Sequence, residues 1–169
     1  MATITTGAGR EGTTALTWGV YLMTLGAIAF TGYAVIFFVL NFTDSFLELG
    51  IGSDQVASDK DEIKAFDNDL YHYISHLHIA MSGFIASTGL AVAALSWFGV
   101  RRRYMWAWGA AVAAPVLALA VALPAHYPWG FDTIGHLGLI YLATAIFVVG
   151  ALLALRELVR SEASDLQRA

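Results

Sequence analysis

Four long stretches of the sequence contain no Asp, Glu, Lys or Arg, and this feature limits the possible folds most. They cover residues 12–43, 70–100, 104–131 and 133–155. A helix needs about 20 apolar residues to cross the roughly 30 Å hydrocarbon core of a bilayer, so each stretch is long enough. We predict an all-α integral membrane protein, a four-transmembrane-helix antiparallel bundle with spans at about 15–42, 70–100, 104–124 and 132–155.

Composition supports this class and excludes several others. Hydrophobic residues make up 58% of the 169 positions and charged residues only 13%, which is unusual for a soluble domain. Cysteine is absent, so disulfides, thiolate metal sites and iron–sulfur clusters are excluded. No basic stripe for nucleic acid occurs. We expect one membrane domain, 1–169, whose surroundings are the lipid bilayer.

The segment between the first two spans, residues 43–69, holds eight acidic residues and two lysines. Its residues Ser58 to Asp61 have the spacing of a capping box, in which a serine hydroxyl and a carboxylate satisfy open backbone N–H groups. We therefore predict a helix that begins near residue 59 and continues into the second span. A bend is expected around residues 67–68.

The basic residues predict the orientation of the bundle. Seven arginines fall on one side of a four-span bundle: Arg10, Arg101, Arg102, Arg103, Arg156, Arg160 and Arg168. Only Lys60 and Lys64 fall on the other side. Because cytoplasmic loops carry an excess of Lys and Arg, both termini and the tail 156–169 are expected in the cytoplasm. The acidic loop 43–69 is then the outer loop.

The histidines lie at one depth. Helix rises 1.5 Å per residue, so His76, His126 and His136 lie roughly 30–37 Å from the arginines at the opposite ends of their spans. That length matches the thickness of the hydrocarbon core, about 30 Å. Histidines from three spans are therefore expected to meet at the outer membrane interface.

Two spans each contain a polar pair four residues apart. His72 and His76 share a face of the second span, and Asp132 and His136 share a face at the start of the fourth. Small residues that permit close packing follow His76 along its face: Ala80, Gly83 and Ser87. Gly135 and Gly138 leave similar room. We expect His76 and His136 to face each other across the bundle, with Asp132 nearby.

Imidazole and carboxylate groups form the nitrogen and oxygen set that iron, copper or zinc accepts. We interpret His76 and His136 as cofactor-binding residues. The candidate metal ligands are His72, His76, Asp132, His136 and His126. Two histidines on facing helices would alternatively hold a haem. His78 lies roughly 160° from His76 around the helix, so we interpret it as a packing or lipid-facing residue.

Three functions remain open at this point. The first is a membrane protein that binds a metal ion or haem, for membrane redox chemistry, through this histidine and aspartate site. The second is an accessory subunit of a larger membrane complex or a homo-oligomer, whose histidines only form hydrogen bonds at the interface. The third is a membrane enzyme acting on a lipid or other apolar substrate. The lack of ionisable residues at mid-membrane argues against a proton pump or ion-coupled transporter.

Overall fold

The computed structural model describes residues 8–46 and 48–167, and the described part of the chain is helical without strands. The helices are α1 (Ala8–Thr43), α2 (Lys60–Phe66), α3 (Asn68–Ala94), α4 (Met105–His126) and α5 (Ile134–Leu166). Four segments are long and apolar enough to cross a membrane: Thr14–Thr43, Asn68–Arg102, Met105–His126 and Ile134–Ser164. The predicted four-span helical bundle is confirmed.

The bundle has two distinct ends. At the loop end lie the α1–α3 connection with α2, residues 44–67, and the short α4–α5 connection, residues 127–133. At the hairpin end, α3 continues through a π-helical turn, Leu95–Gly99, and a 3-10 turn, Val100–Arg102, into the start of α4. Arg103 has a φ of 65°, in the left-handed region, and this turn reverses the chain.

Helix α1 packs directly on α5 through residues that lack side-chain bulk. A Cβ atom added at Gly150 would lie 2.5 Å from the Met23 nitrogen, and one at Gly19 would lie 2.7 Å from the Ala154 nitrogen. Gly26 meets Phe147 in the same way. Small residues allow such backbone contact between membrane helices, where packing replaces the hydrophobic effect as the main source of stability. This contact holds the first and last spans together.

The other neighbour of α1 is α3, and its contacts fix which face of α3 is buried. A Cβ atom at Gly89 would lie 2.5 Å from Thr31 Oγ1. Closer to the loop end, the Asn41 side-chain amide donates a hydrogen bond of 2.8 Å to Ser75 Oγ. Ser75, Ser82 and Gly89 are all buried. Their spacing of seven residues defines one helix face, which is turned toward α1.

Helix α4 packs closely at the hairpin end only. Ala107 and Ala111 are its buried residues, and Trp108 Nε1 donates a hydrogen bond of 3.0 Å to the Ala151 carbonyl of α5. Beyond Ala111 every α4 residue is at least partly exposed. Pro115 lies just past this point, where its missing N–H leaves the Ala111 carbonyl without its usual helical donor. The half of α4 nearer the loop end is thus loosely packed.

The capping-box prediction is wrong by one residue. Asp59 is the N-cap of α2: its carboxylate accepts from the N–H groups of Asp61 and Glu62, and the Glu62 side chain accepts from Asp59 N–H. Asp67 ends α2 and then caps α3 through Asp69 N–H and Leu70 N–H. The expected bend is therefore a break between two helices. Aspartate succeeds here because a carboxylate at a helix N-terminus also interacts favourably with the helix dipole.

We expect Gly150→Leu to destabilise the bundle by about 2–3 kcal/mol or more, since the new side chain would overlap α1 backbone that has no room to move. Gly32→Leu is the matched control, because a Cβ at Gly32 meets nothing within 4 Å. Thermal unfolding in detergent measures both. Equal melting temperatures for the two variants would contradict the close α1–α5 packing.

Candidate functional site

The acidic loop is fastened to the start of α5 by backbone contact at two glycines. Gly50 has a φ of 70°, and a Cβ there would overlap the backbone of Gly135 and His136. Thr133 Oγ1 donates a hydrogen bond of 3.1 Å to the Gly50 carbonyl and accepts one from His136 N–H. The loop therefore lies directly on the N-terminus of α5, which brings residues 48 and 49 beside His136.

Glu48 lies between two histidines from different helices. Its Oε1 is 2.7 Å from His78 Nε2 on α3, and its Oε2 is 3.7 Å from His136 Nε2 on α5. The side chains of these two histidines are 17% and 4% exposed and that of Glu48 is 28% exposed. The His78 ring also contacts the Phe37 ring of α1, with centroids 5.1 Å apart. One loop carboxylate thus joins α3 and α5 at the loop end.

The backbone fixes the tautomer of both rings. Carbonyl oxygens only accept hydrogen bonds, so His78 Nδ1–H donates to the Ile74 carbonyl at 2.9 Å and His136 Nδ1–H donates to the Leu49 carbonyl at 2.9 Å. One more proton lies between His78 Nε2 and Glu48. His136 Nε2 also faces Glu48, at 3.7 Å from its Oε2. Both Nε2 atoms are therefore directed at the same carboxylate.

A third histidine completes the group. The rings of His126 and His136 are stacked with centroids 5.1 Å apart, and His126 Nδ1–H donates to the Ala122 carbonyl at 2.9 Å. Its Nε2 makes no hydrogen bond to the described residues. His78, His126 and Glu48 line a cavity of about 320 Å³ together with Lys60 and Trp129. We call Glu48, His78, His126 and His136 the histidine–glutamate cluster.

The cluster includes two of the five predicted metal ligands, His126 and His136, and leaves the other three outside. His72 and His76 are exposed on α3. Among the described residues, His76 makes no hydrogen bond or ring contact with His136, so the expected pair across the bundle is not formed. Asp132 is exposed and precedes α5, where Thr133 caps the helix instead. The face of α3 that carries His76 is turned away from α1.

Two members of the cluster were not predicted. His78 packs on Phe37, in keeping with its interpretation as a packing residue, but its hydrogen bond to Glu48 was not expected. It lies on the buried face of Ser75 and Ser82. Serines at positions 75 and 82 with a histidine between them are a polar stripe at helical spacing, and this signal could have identified His78. Glu48 had no comparable signal, since it is one of eight acidic residues in the loop.

The cluster offers a carboxylate and imidazole nitrogens, which are donors that transition metals accept. Within residues 8–46 and 48–167, no three His, Asp or Glu side chains are grouped so that they could hold a metal ion as they are now arranged. Binding would require the hydrogen-bonded pair of His78 and Glu48 to separate and the rings to shift. The donor types and tautomers fit a metal ion, whereas the present spacing does not.

Comparisons with protein-family models, with curated proteins and with solved structures give no match to this chain. The cluster is thus interpreted from its own geometry.

We expect Gly50→Ala to displace the loop from α5, because a Cβ there overlaps Gly135 and the positive φ is unfavourable for alanine. His136 would then become accessible to a histidine reagent such as diethyl pyrocarbonate, which mass spectrometry of the labelled peptide measures. Gly52→Ala is the control, since a Cβ at Gly52 meets nothing within 4 Å. Protection of His136 in both variants would show that Gly50 does not hold the loop.

Proposed function

We propose that this protein binds a divalent transition-metal ion in the membrane through His78, His136 and Glu48, with His126 as an additional ligand. The observation that supports the proposal most is the common orientation of the three rings. Each donates Nδ1–H to a backbone carbonyl and keeps Nε2 for another partner. Metal-binding histidines are usually oriented in this way, because the second nitrogen fixes the ring and raises its basicity.

Glu48 reaches both rings, although its distances to them must change before the three groups can share an ion. Donor atoms around a tetrahedral ion with bonds of about 2.1 Å lie roughly 3.4 Å apart. The two nitrogen–oxygen distances, 2.7 Å to His78 and 3.7 Å to His136, fall on either side of this value. Two histidines and one carboxylate are a ligand set that leaves positions open for a further ligand, as in non-haem iron sites. Glu48, in a loop, has the freedom to adjust.

An ion suits the cluster better than a haem does. The stacked His126 and His136 rings leave no space for a porphyrin between them. His78 and His136 both reach the same carboxylate, whereas two axial haem ligands would have to approach from opposite sides of a plane. Iron, copper and zinc all accept imidazole with carboxylate, so the proposal covers these three metals.

Zinc binding to the purified protein, measured by isothermal titration calorimetry, tests the proposal. His78→Ala, His136→Ala and Glu48→Gln should each weaken zinc binding by roughly 100-fold or more, since even the loss of partners outside the ligand shell costs 10–100-fold. His72→Ala and His76→Ala are the matched controls and should leave binding unchanged. Tight binding that survives Glu48→Gln, or that is lost in His76→Ala, would overturn this ligand set.

Metal binding should release protons, and this provides a second measurement on the same samples. The ion replaces the proton held between His78 Nε2 and Glu48, so titrations in buffers of different ionisation enthalpy should report release of about one proton. Affinity should fall as the pH is lowered, because protonated rings cannot bind a metal. If zinc, copper and iron all fail to bind, the accessory-subunit interpretation takes first place.

The orientation of the bundle is a separate proposal, supported by six arginines of the described chain that lie toward the hairpin end. Because cytoplasmic segments carry more Lys and Arg, the loop end with the histidine–glutamate cluster faces outward and the termini are cytoplasmic. Alkaline phosphatase inserted at Gly52 should be active in cells, and the same enzyme fused after Ala169 should be inactive. The reverse result would place the cluster on the cytoplasmic side.

A further inference from the structure

A second cavity, of about 240 Å³, lies inside the bundle between α1, α3, α4 and α5. We call it the apolar cleft. Tyr33 and Thr88 are the polar side chains among its described lining residues. Its other walls include Phe84 of α3, Leu119 of α4 and Phe147 of α5. The lining is thus suited to hydrocarbon and offers water almost no hydrogen-bonding partner.

The cleft exists because α4 packs loosely on the other helices beyond the middle of its length. Its α4 wall begins at Pro115 and continues through Ala118 and Ala122, all beyond the last buried residue, Ala111. Ala118 and Phe84 are exposed, so the cleft is not sealed from the surrounding lipid. A hydrocarbon chain could therefore enter sideways from the bilayer.

The cleft ends one helical turn below the histidine–glutamate cluster. On α4, Ala122 lines the cleft, and its carbonyl accepts the Nδ1–H of His126. On α3, Met81 lines the cleft three residues from His78. On α1, the Tyr33 ring stacks on Phe37 at 6.2 Å, and Phe37 contacts His78. Three helices therefore connect the hydrocarbon-lined cleft with the polar site.

The size of the cleft selects among possible occupants. A helix of a partner protein is about 10 Å across with its side chains, so even one turn would far exceed 240 Å³. A phospholipid has two chains and a bulky head. A single acyl chain is an abundant membrane component that is thin enough to enter. The 320 Å³ cavity above the cleft is lined by Lys60, two histidines and one acidic side chain, Glu48. Its basic side chains suit the carboxylate head group of a fatty acid.

We propose that the apolar cleft binds one long-chain fatty acid from the bilayer and presents its carboxylate end to the histidine–glutamate cluster. The position of the chain rests on the cleft alone. The role of the head as a further metal ligand rests on the proposed metal-binding function. A chain held in this way has its carbon atoms nearest the head beside His78 and His126.

Photo-crosslinking of the purified full-length chain with diazirine-bearing palmitate tests the proposal. A diazirine near the carboxylate should label residues near Ala122, and a diazirine near the methyl end should label residues closer to Pro115. Ala118→Trp fills the cleft and should lose both labels. Ala120→Trp is the matched control, since Ala120 lies on the same helix, is exposed and does not line the cleft. Mass spectrometry locates the labels.

Competition and metal titration distinguish failure of the fatty-acid proposal from failure of the metal-binding proposal. Unlabelled palmitate should displace the probe, and phosphatidylcholine should not. Equal labelling of the Ala118→Trp and Ala120→Trp variants, or displacement by phosphatidylcholine alone, would overturn the fatty-acid proposal. Zinc binding should be the same in both tryptophan variants as in the unmodified protein. Specific labelling without any zinc binding would refute the metal-binding function and leave the position of the chain standing.

Discussion

In lipid, the helices of a bundle gain little from the hydrophobic effect, because the acyl chains around them are equally apolar. What holds this bundle together is therefore close backbone contact, above all between α1 and α5 at Gly19, Gly26 and Gly150. Helix α1 also packs on α3 at Gly89, so it lies between two partners. Helix α4 lacks such backbone contacts beyond Ala111 and meets α5 at the loop end through side chains, where His126 stacks on His136.

The histidine–glutamate cluster depends on this packing. The α1–α3 contact turns His78 inward, and the contact between Gly50 and Gly135 brings Glu48 over the start of α5. His136 then bonds to the Leu49 carbonyl, which ties the loop and the helix together. A polar cluster at the edge of a membrane is costly unless its groups have partners. Here the backbone supplies one partner for each of the three rings.

The spans could be predicted from the sequence because their signal is a property of whole segments. About 20 consecutive apolar residues predict a membrane span whatever their order, so the prediction does not depend on any single position. Which face of α3 is buried depends on single residues, and two candidate stripes compete. One contains His76, Gly83 and Ser87 and is exposed; the other contains Ser75, His78 and Ser82 and faces α1. The contacts of α1 with Gly89 and Ser75 decide between them.

Glu48 could not have been found in the same way. Its position follows from the path of the loop, and that path depends on a turn with positive φ at Gly50 meeting a second glycine 85 residues later in the chain. No local pattern encodes such a meeting. Asp59 and Ser58 illustrate the same limit on a smaller scale, since both are good capping residues and the sequence alone favours neither.

Close backbone contact joins the first membrane helix to the last, and this affects how the chain assembles. Synthesis begins at the N-terminus, so α1 enters the bilayer before α5 has been made. Until then the face of α1 that carries Gly19 and Gly26 has no partner within the chain and is covered by lipid. Early packing is limited to α1 and the α3–α4 hairpin. Insertion of the fourth span is thus the step that closes the bundle and brings His136 to Glu48.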